Sequence, residues 1–192
     1  MTENIIFASG NTEKFHIAQS ACEPFGVALV QQPSGVDEIQ SEDPEAIIRD
    51  KVRRVFEKFN QPVIVSDDSW TIPVLHGFPG PYMKSINQWL VVQDWLNLMK
   101  PYENRRVVLI QLLAYYDGTD VTVFQSEMNG TFLPEPHGNY GSPFQKVVTM
   151  SGDHGLSIAE VYDKGPQHDK REVAGCWNKF LNWYTAEIKQ PV

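Results

Sequence analysis

Ile5-Ile6-Phe7-Ala8-Ser9-Gly10-Asn11-Thr12-Glu13-Lys14 is the stretch on which the reading of this chain turns. Its apolar run breaks off at Ser9-Gly10-Asn11, the pattern of a short buried strand that ends in a turn. From Thr12 to about Cys22 the residues read as a helix, with Thr12 as its N-cap. A strand that passes through a tight turn straight into a helix leaves the first helical N–H groups without intrahelical partners. They sit at the positive end of the helix dipole, so the turn is a natural place for an anion. Gly10 lets the backbone approach a ligand closely, and Lys14 lies one turn further on, within reach of a phosphate. A capped helix with a solvated lysine is the other reading of the same residues.

Outward from this stretch, strand and helix signals alternate. Val27 to Val30 suits a second strand. Asp43-Pro44 is a helix start, an acid at the N-cap followed by proline at the first helical position. Ile48, Val52, Val55, Phe56 and Phe59 then recur at helical spacing. Pro62-Val63-Ile64-Val65 reads as a buried strand that terminates at Ser66-Asp67-Asp68-Ser69, and a loop rich in Gly and Pro follows at residues 76–81. One helix is expected from about Ser85 to Met99. Val107 to Tyr116 and Val121 to Phe132 are expected to be strands joined at Asp117-Gly118, a hairpin signal. Residues 134–170 are polar and Gly-rich. Val173, Trp177, Phe180, Leu181, Tyr184 and Ile188 outline a final amphipathic helix. The sum is an α/β protein with a mixed sheet, parallel in its first half and carrying a hairpin in its second.

Composition narrows the functional classes. The chain has 192 residues, 16 Lys+Arg and 24 Asp+Glu, for a net charge of −8. That balance argues against tight binding to a nucleic-acid backbone, which needs clustered cations, but leaves room for a small anion held locally. One domain is the expectation at this length, with two lobes as the alternative. No apolar run reaches the ~18 residues of a membrane span. MTENIIFASGNTEK lacks the basic stretch and apolar segment of a secretory leader. Two widely separated cysteines, Cys22 and Cys176, suit a reducing cytoplasm rather than a disulfide framework.

Five positions beyond the first turn could carry chemistry. Asp67 and Asp68 are paired acids placed where a strand ends, the side of an α/β sheet on which ligands collect. Such a pair is kept together by a bridging cation or because one acid serves as a base; an acidic turn is the plain reading. Glu38, with Glu42 close by, is either a ligand or part of a solvated acidic loop. Lys51 lies at the edge of an apolar helical face, so it either snorkels to water or points into a cleft. Lys84 ends the rigid sequence Gly80-Pro81-Tyr82-Met83-Lys84. The five His residues show no ligand spacing, and no Ser-centred nucleophile elbow occurs.

Taken in order, Phe7-Ala8-Ser9-Gly10-Asn11-Thr12-Glu13-Lys14, Glu38-Ile39-Gln40, Ser66-Asp67-Asp68-Ser69 and Gly77-Phe78-Pro79-Gly80-Pro81-Tyr82-Met83-Lys84 resemble the inosine triphosphate pyrophosphatase family. The resemblance is best over residues 5–100. It implies an elongated mixed sheet with flanking helices and two lobes around a central cleft. It also implies a cytoplasmic homodimer that uses Mg²⁺ to hydrolyse non-canonical purine nucleoside triphosphates to the monophosphate and pyrophosphate. By position, Ser9, Asn11 and Lys14 would hold the triphosphate, with Lys51 and Lys84 adding positive charge. Glu38 would bind Mg²⁺, and Asp68 would be a metal ligand or the base that activates water, with Asp67 beside it.

The base-recognition half departs from the family pattern. Tyr140-Gly141-Ser142-Pro143-Phe144 is one residue short of the family's motif and lacks its acid. The later S-H-R motif survives only as Asp169-Lys170-Arg171, leaving Arg171 as a base contact. Trp70 stands where the family has a small residue. Specificity rests on paired polar groups, so an altered base preference is expected. The alternative is a nucleotide-binding protein with weakened catalysis. An aspartyl-phosphate phosphatase ranks lower, because Ser69 occupies the place its second acid needs.

Overall fold

Ile5–Phe7 forms β1, all three residues buried, and a strand hidden on both faces needs parallel neighbours with helices packed over them. It has both neighbours: β2 (Leu29–Gln31) pairs with it in parallel, Ile5 opposite Leu29 and Phe7 opposite Gln31. On its other side runs β3 (Val63–Thr71), again parallel, with Ile6 opposite Val63. The computed structural model describes residues 4–165 and 173–188. Seven strands form one sheet in the order β2-β1-β3-β5-β6-β7, with the short β4 paired to β3. The mixed α/β sheet with flanking helices is thus the observed architecture.

The chain gathers into two compact units. The first comprises the chain up to Asp67, Gln111–Ser126 and the C-terminal segment; the second comprises Asp68–Ile110 and Glu127–Asp169. Three strands pass from one unit into the other: β3, β5 (Arg106–Tyr116) and β6 (Thr122–Phe132).

In the first unit, α1 (Thr12–Cys22) buries Ile17, Ala18, Ala21 and Cys22. Of these, the small Ala18, Ala21 and Cys22 share a core with Phe7, Ile64, Leu113 and Tyr115 of the sheet. Trp177, Phe180, Leu181 and Tyr184 of the C-terminal segment complete it, with Phe7 and Trp177 edge-on at 5.5 Å between ring centroids. That segment is kinked at Gly175, whose φ of −97° and ψ of −114° are not helical, and continues into the last helix, Asn178–Glu187. Ile188, expected on its apolar face, is exposed, because the helix has already ended. The expected Asp43 cap is present: its carboxylate accepts the Glu45 N–H at 2.9 Å and opens α2 (Pro44–Phe59). Asn60 closes α2 in the left-handed region. The β5–β6 connection turns at Gly118 with φ of 102°, and a Cβ there would lie 2.8 Å from the Phe56 ring.

The second unit has a core of its own around Trp95, which is fully buried against Phe132 and Phe144. Four sequence expectations are corrected. The N-cap of α1 is Asn11, not Thr12. The second strand lies at Leu29–Gln31 rather than Val27–Val30. The helix expected from Ser85 to Met99 is two, α3 (Met83–Trp89) and α4 (Val92–Met99). The break arises because Asp94 reaches back to accept the Val91 N–H at 2.9 Å, starting a new helix where Leu90 and Val91 are extended. Finally, β3 does not stop at Ser66: it continues through both aspartates to Thr71. Its far end is held by β4 (Pro79–Gly80), Trp70 lying opposite Gly80. The loop expected at residues 76–81 therefore folds back as the partner of β3.

The polar segment after β6 holds β7 (Val148–Met150), antiparallel to β6, and α5 (Ile158–Asp163). Ser157 and Glu160 cap α5 reciprocally, each accepting the other's N–H.

Candidate active site

The turn after β1 is built by two side chains. The Ser9 hydroxyl oxygen accepts the Asn11 N–H at 3.1 Å. The Asn11 carbonyl oxygen accepts the N–H groups of Glu13 at 2.9 Å and Lys14 at 3.1 Å. This consumes two of the amides that the sequence leaves for an anion. Among the described residues the amides of Gly10 and Thr12 keep no partner, and Gly10, Asn11 and Thr12 are exposed. The same bonds fix polarity: with its oxygen engaged in capping, the Asn11 carboxamide has its NH₂ left to donate, and Ser9, accepting at oxygen, has its O–H left to donate. Behind the turn, Gln31 on β2 donates its Nε2–H to the Ser9 carbonyl at 3.1 Å.

Lys51 is on α2, with Ile47, Ile48 and Val55 buried beside it. Its stem is packed, the side chain 15% exposed, and its ammonium meets Glu38 Oε1 at 2.6 Å, with Glu38 44% exposed. Of the two sequence readings, snorkelling or pointing inward, the structure gives a third outcome: a largely covered lysine paired with the acid expected to bind metal. The sequence separation of 13 gives no hint of this contact.

Asp67 and Asp68 are half-buried in the middle of an extended strand. Successive side chains on a strand point to opposite faces. Asp67 shares its face with the buried Val65 and Ser69, and Asp68 with the half-buried Ser66 and Trp70. The two acids are therefore not a side-by-side chelate for one cation. Lys84 stands exposed in the first turn of α3. By unit, Ser9, Asn11, Lys14, Glu38, Lys51 and Asp67 belong to the first, and Asp68 and Lys84 to the second. Arg171 lies outside the described residues.

Two further side chains bear on the base-recognition segment. Phe144 is 1% exposed, packed edge-on against Trp70 with centroids 5.0 Å apart, so it is core and not a stacking surface. Tyr140 lies flat on Tyr162, at 5.2 Å and 9° between planes, and is partly exposed. Among the described residues no group of three or more His, Cys, Asp or Glu could hold a metal ion. Burial pushes the Cys22 thiol up to about 12, so it is neutral at physiological pH and no nucleophile.

A model of the Ham1 family matches residues 5–174. The chain belongs to the Ham1 family. A dITP/XTP pyrophosphatase of Methanopyrus kandleri is 31% identical over 186 residues, covering 96% of this chain and 97% of that protein. One from Methanosarcina acetivorans is 27% identical over 184 residues, covering 95% and 98%. Inosine triphosphate pyrophosphatase 2 of Trypanosoma cruzi is 26% identical over 162 residues, covering 83% and 82%. Among solved structures, a Ham1 protein from Coxiella burnetii superposes with a TM-score of 0.78 at 17% identity, covering 96% of this chain and 99% of that one. The Staphylococcus aureus Ham1 protein gives 0.77 at 15% identity, covering 96% and 100%. At those identities the superpositions establish the fold, and the Ham1 fold is the one expected from the residues around Ser9-Gly10-Asn11.

Proposed function

We propose that this Ham1-family chain is a nucleoside triphosphate pyrophosphatase acting on non-canonical purine nucleotides, with a base preference altered from that of its relatives. The observation that carries this reading is the Ser9–Lys14 turn, whose open amides and outward donors match a phosphate chain, in a protein whose curated relatives are named dITP/XTP pyrophosphatases. Ser9 and Asn11 donate to phosphate oxygens, and Lys14 and Lys84 offset their charge. Lys51 adds positive charge beside Glu38.

The donor set suits Mg²⁺. Glu38 and Asp68 offer hard carboxylate oxygens, and a hexacoordinate Mg²⁺ takes one or two carboxylates and fills the rest with substrate phosphates and water. When bound, Mg²⁺ supplies neutralisation of charge on the reacting phosphates. The protein's own part is positional and basic. Asp68 accepts a proton from water as the water oxygen bonds to the α-phosphorus. The α–β anhydride P–O bond then breaks and pyrophosphate leaves. Asp67 lies on the other face of β3, so in this reading the proton transfer falls to Asp68 alone.

The chain works as a homodimer in the cytoplasm, with no nucleic-acid or membrane partner. In support, Trp89 and Val91 are 71% and 59% exposed at the α3–α4 break, an apolar surface suited to a second copy. Both cysteines are free and buried, as suits a reducing compartment. No helix among the described residues is long and apolar enough to cross a membrane.

The test is pyrophosphate release from ITP, XTP, dITP and the four standard triphosphates with Mg²⁺ or Mn²⁺. Release from one or more of the oxopurine nucleotides supports the reading; inertness toward all seven removes it. The second reading, nucleotide binding with weak turnover, draws on the burial of Phe144 in the shortened recognition segment. It predicts calorimetric binding of ITP without release of pyrophosphate.

A further inference from the structure

Resting on the phosphate-binding reading of the Ser9–Lys14 turn, we infer that Gln31 is a positioning residue for that turn, acting through the Ser9 carbonyl. Residues 31–33, at and just after the end of β2, meet the end of β1 and the turn. Gln31 donates its Nε2–H to the Ser9 carbonyl at 3.1 Å, a bond between partly buried groups 22 residues apart in sequence. Gln32 donates its N–H to the Phe7 carbonyl at 3.1 Å. Pro33 backs Gly10, its Cβ 4.0 Å from where a Gly10 side chain would begin.

The first and last of these bear on the turn itself. The Ser9 carbonyl lies at the point where β1 gives way to the turn, and a carbonyl oxygen can only accept, so the Gln31 carboxamide has one usable orientation there. Holding this carbonyl fixes the Ser9–Gly10 peptide plane. The Gly10 N–H belongs to that same plane and is one of the two open amides of the turn. The direction of a donor aimed at phosphate is thus set by a side chain that touches no phosphate. Glutamine has no intrinsic reason to end a three-residue strand, being indifferent to β structure, and the parallel register that puts it beside Phe7 supplies one.

The test compares wild type with Gln31→Met, which keeps length but loses the donor, and Gln31→His, which restores an N–H. Amide hydrogen exchange over residues 9–12 and calorimetric affinity for ITP, inorganic pyrophosphate and inosine, all without divalent metal, are the readouts. Gln31→Met is expected to speed exchange in the turn and to weaken ITP and pyrophosphate by about five- to ten-fold, the scale of one net hydrogen bond. Inosine affinity should stay unchanged, the thermal midpoint should fall by no more than the roughly 2–4 °C that one lost hydrogen bond accounts for, and Gln31→His should recover most of these losses. Unchanged exchange in Gln31→Met overturns the inference. So does equal loss in Gln31→His, which would make bulk rather than donation the cause. If instead wild type binds neither ITP nor pyrophosphate while Gln31→Met still speeds exchange, the phosphate reading fails and the mechanical role of Gln31 stands.

Discussion

On the proposed function Asn11 does two jobs with one carboxamide, and substitution can separate them. Its oxygen caps α1 through bonds of 2.9 and 3.1 Å to Glu13 and Lys14, while its NH₂ is the group proposed to face phosphate. Asn11→Ala removes both functions. Loss of a helix N-cap costs about 1 kcal/mol, which lowers the melting midpoint by roughly 2–4 °C in a protein of this size. Asn11→Asp keeps the cap, because Asp and Asn cap equally well, and the new charge gains ~0.3–1 kcal/mol from the helix dipole. It also sets a carboxylate against the phosphates. At about 4 Å that repulsion is ~1 kcal/mol per charge in water and ~4 kcal/mol at a partly desolvated site, so triphosphate affinity should fall by roughly 5- to 1000-fold. Differential scanning calorimetry and ITP titration on the same samples decide the matter. Asn11→Asp must melt at or above wild type yet bind poorly. A variant that melts like Asn11→Ala, or that binds ITP within two-fold of wild type, refutes the division of labour drawn from these bonds.

Other expectations follow from individual contacts. Asp68→Asn should reduce turnover by about 10²-fold or more, whereas Asp67→Asn, on the opposite face of β3, should leave kcat within a few-fold; steady-state pyrophosphate release tests both. Glu38→Gln should raise the Mg²⁺ concentration needed for half-maximal activity, Lys51→Met should lower it by removing a cation from the same carboxylate, and the double variant should behave like Glu38→Gln, because the residues are paired at 2.6 Å. Folding stability should barely move in that series, since partly exposed ion pairs contribute only ~0–1 kcal/mol. Gly118→Ala should destabilise the protein in urea titrations by about 1–3 kcal/mol, through its left-handed φ of 102° and the contact with Phe56. Burial raises the Cys22 thiol from 9.0 to about 12, so the unfolded chain loses that proton first and stability should fall as pH rises across this interval. Cys22→Ala should flatten that part of the stability–pH curve relative to wild type.

How much of this was readable in advance depended on range. Local chemistry was legible: the Asp43-Pro44 start, the Asp117-Gly118 turn and the strand-to-turn transition at Ser9 all stand where the residues put them. The Asn11 cap was missed by one position because Asn and Thr both cap well, and only the geometry of the turn chooses between them. The length of β3 was missed for a different reason. Aspartate is poor in isolated strands, but here the end of the strand at Trp70 and Thr71 is paired by β4, a partner that begins eight residues after Thr71. The Glu38–Lys51 pair and the Gln31–Ser9 bond join elements through tertiary register, which no local pattern encodes. The residues that mark the Ham1 family were thus legible in the sequence, and the contacts among them only in the structure.

The course of β3 through Asp67 and Asp68 has a consequence for variation in this protein. Doubled acids in a loop can stand in for one another, since either can swing toward a common ligand. On an extended strand the neighbour looks the other way, so with the role proposed for Asp68 the other aspartate is no spare: drift at residue 68 would not be made good from residue 67, and a slip of one residue in this strand would exchange the two while leaving its composition intact.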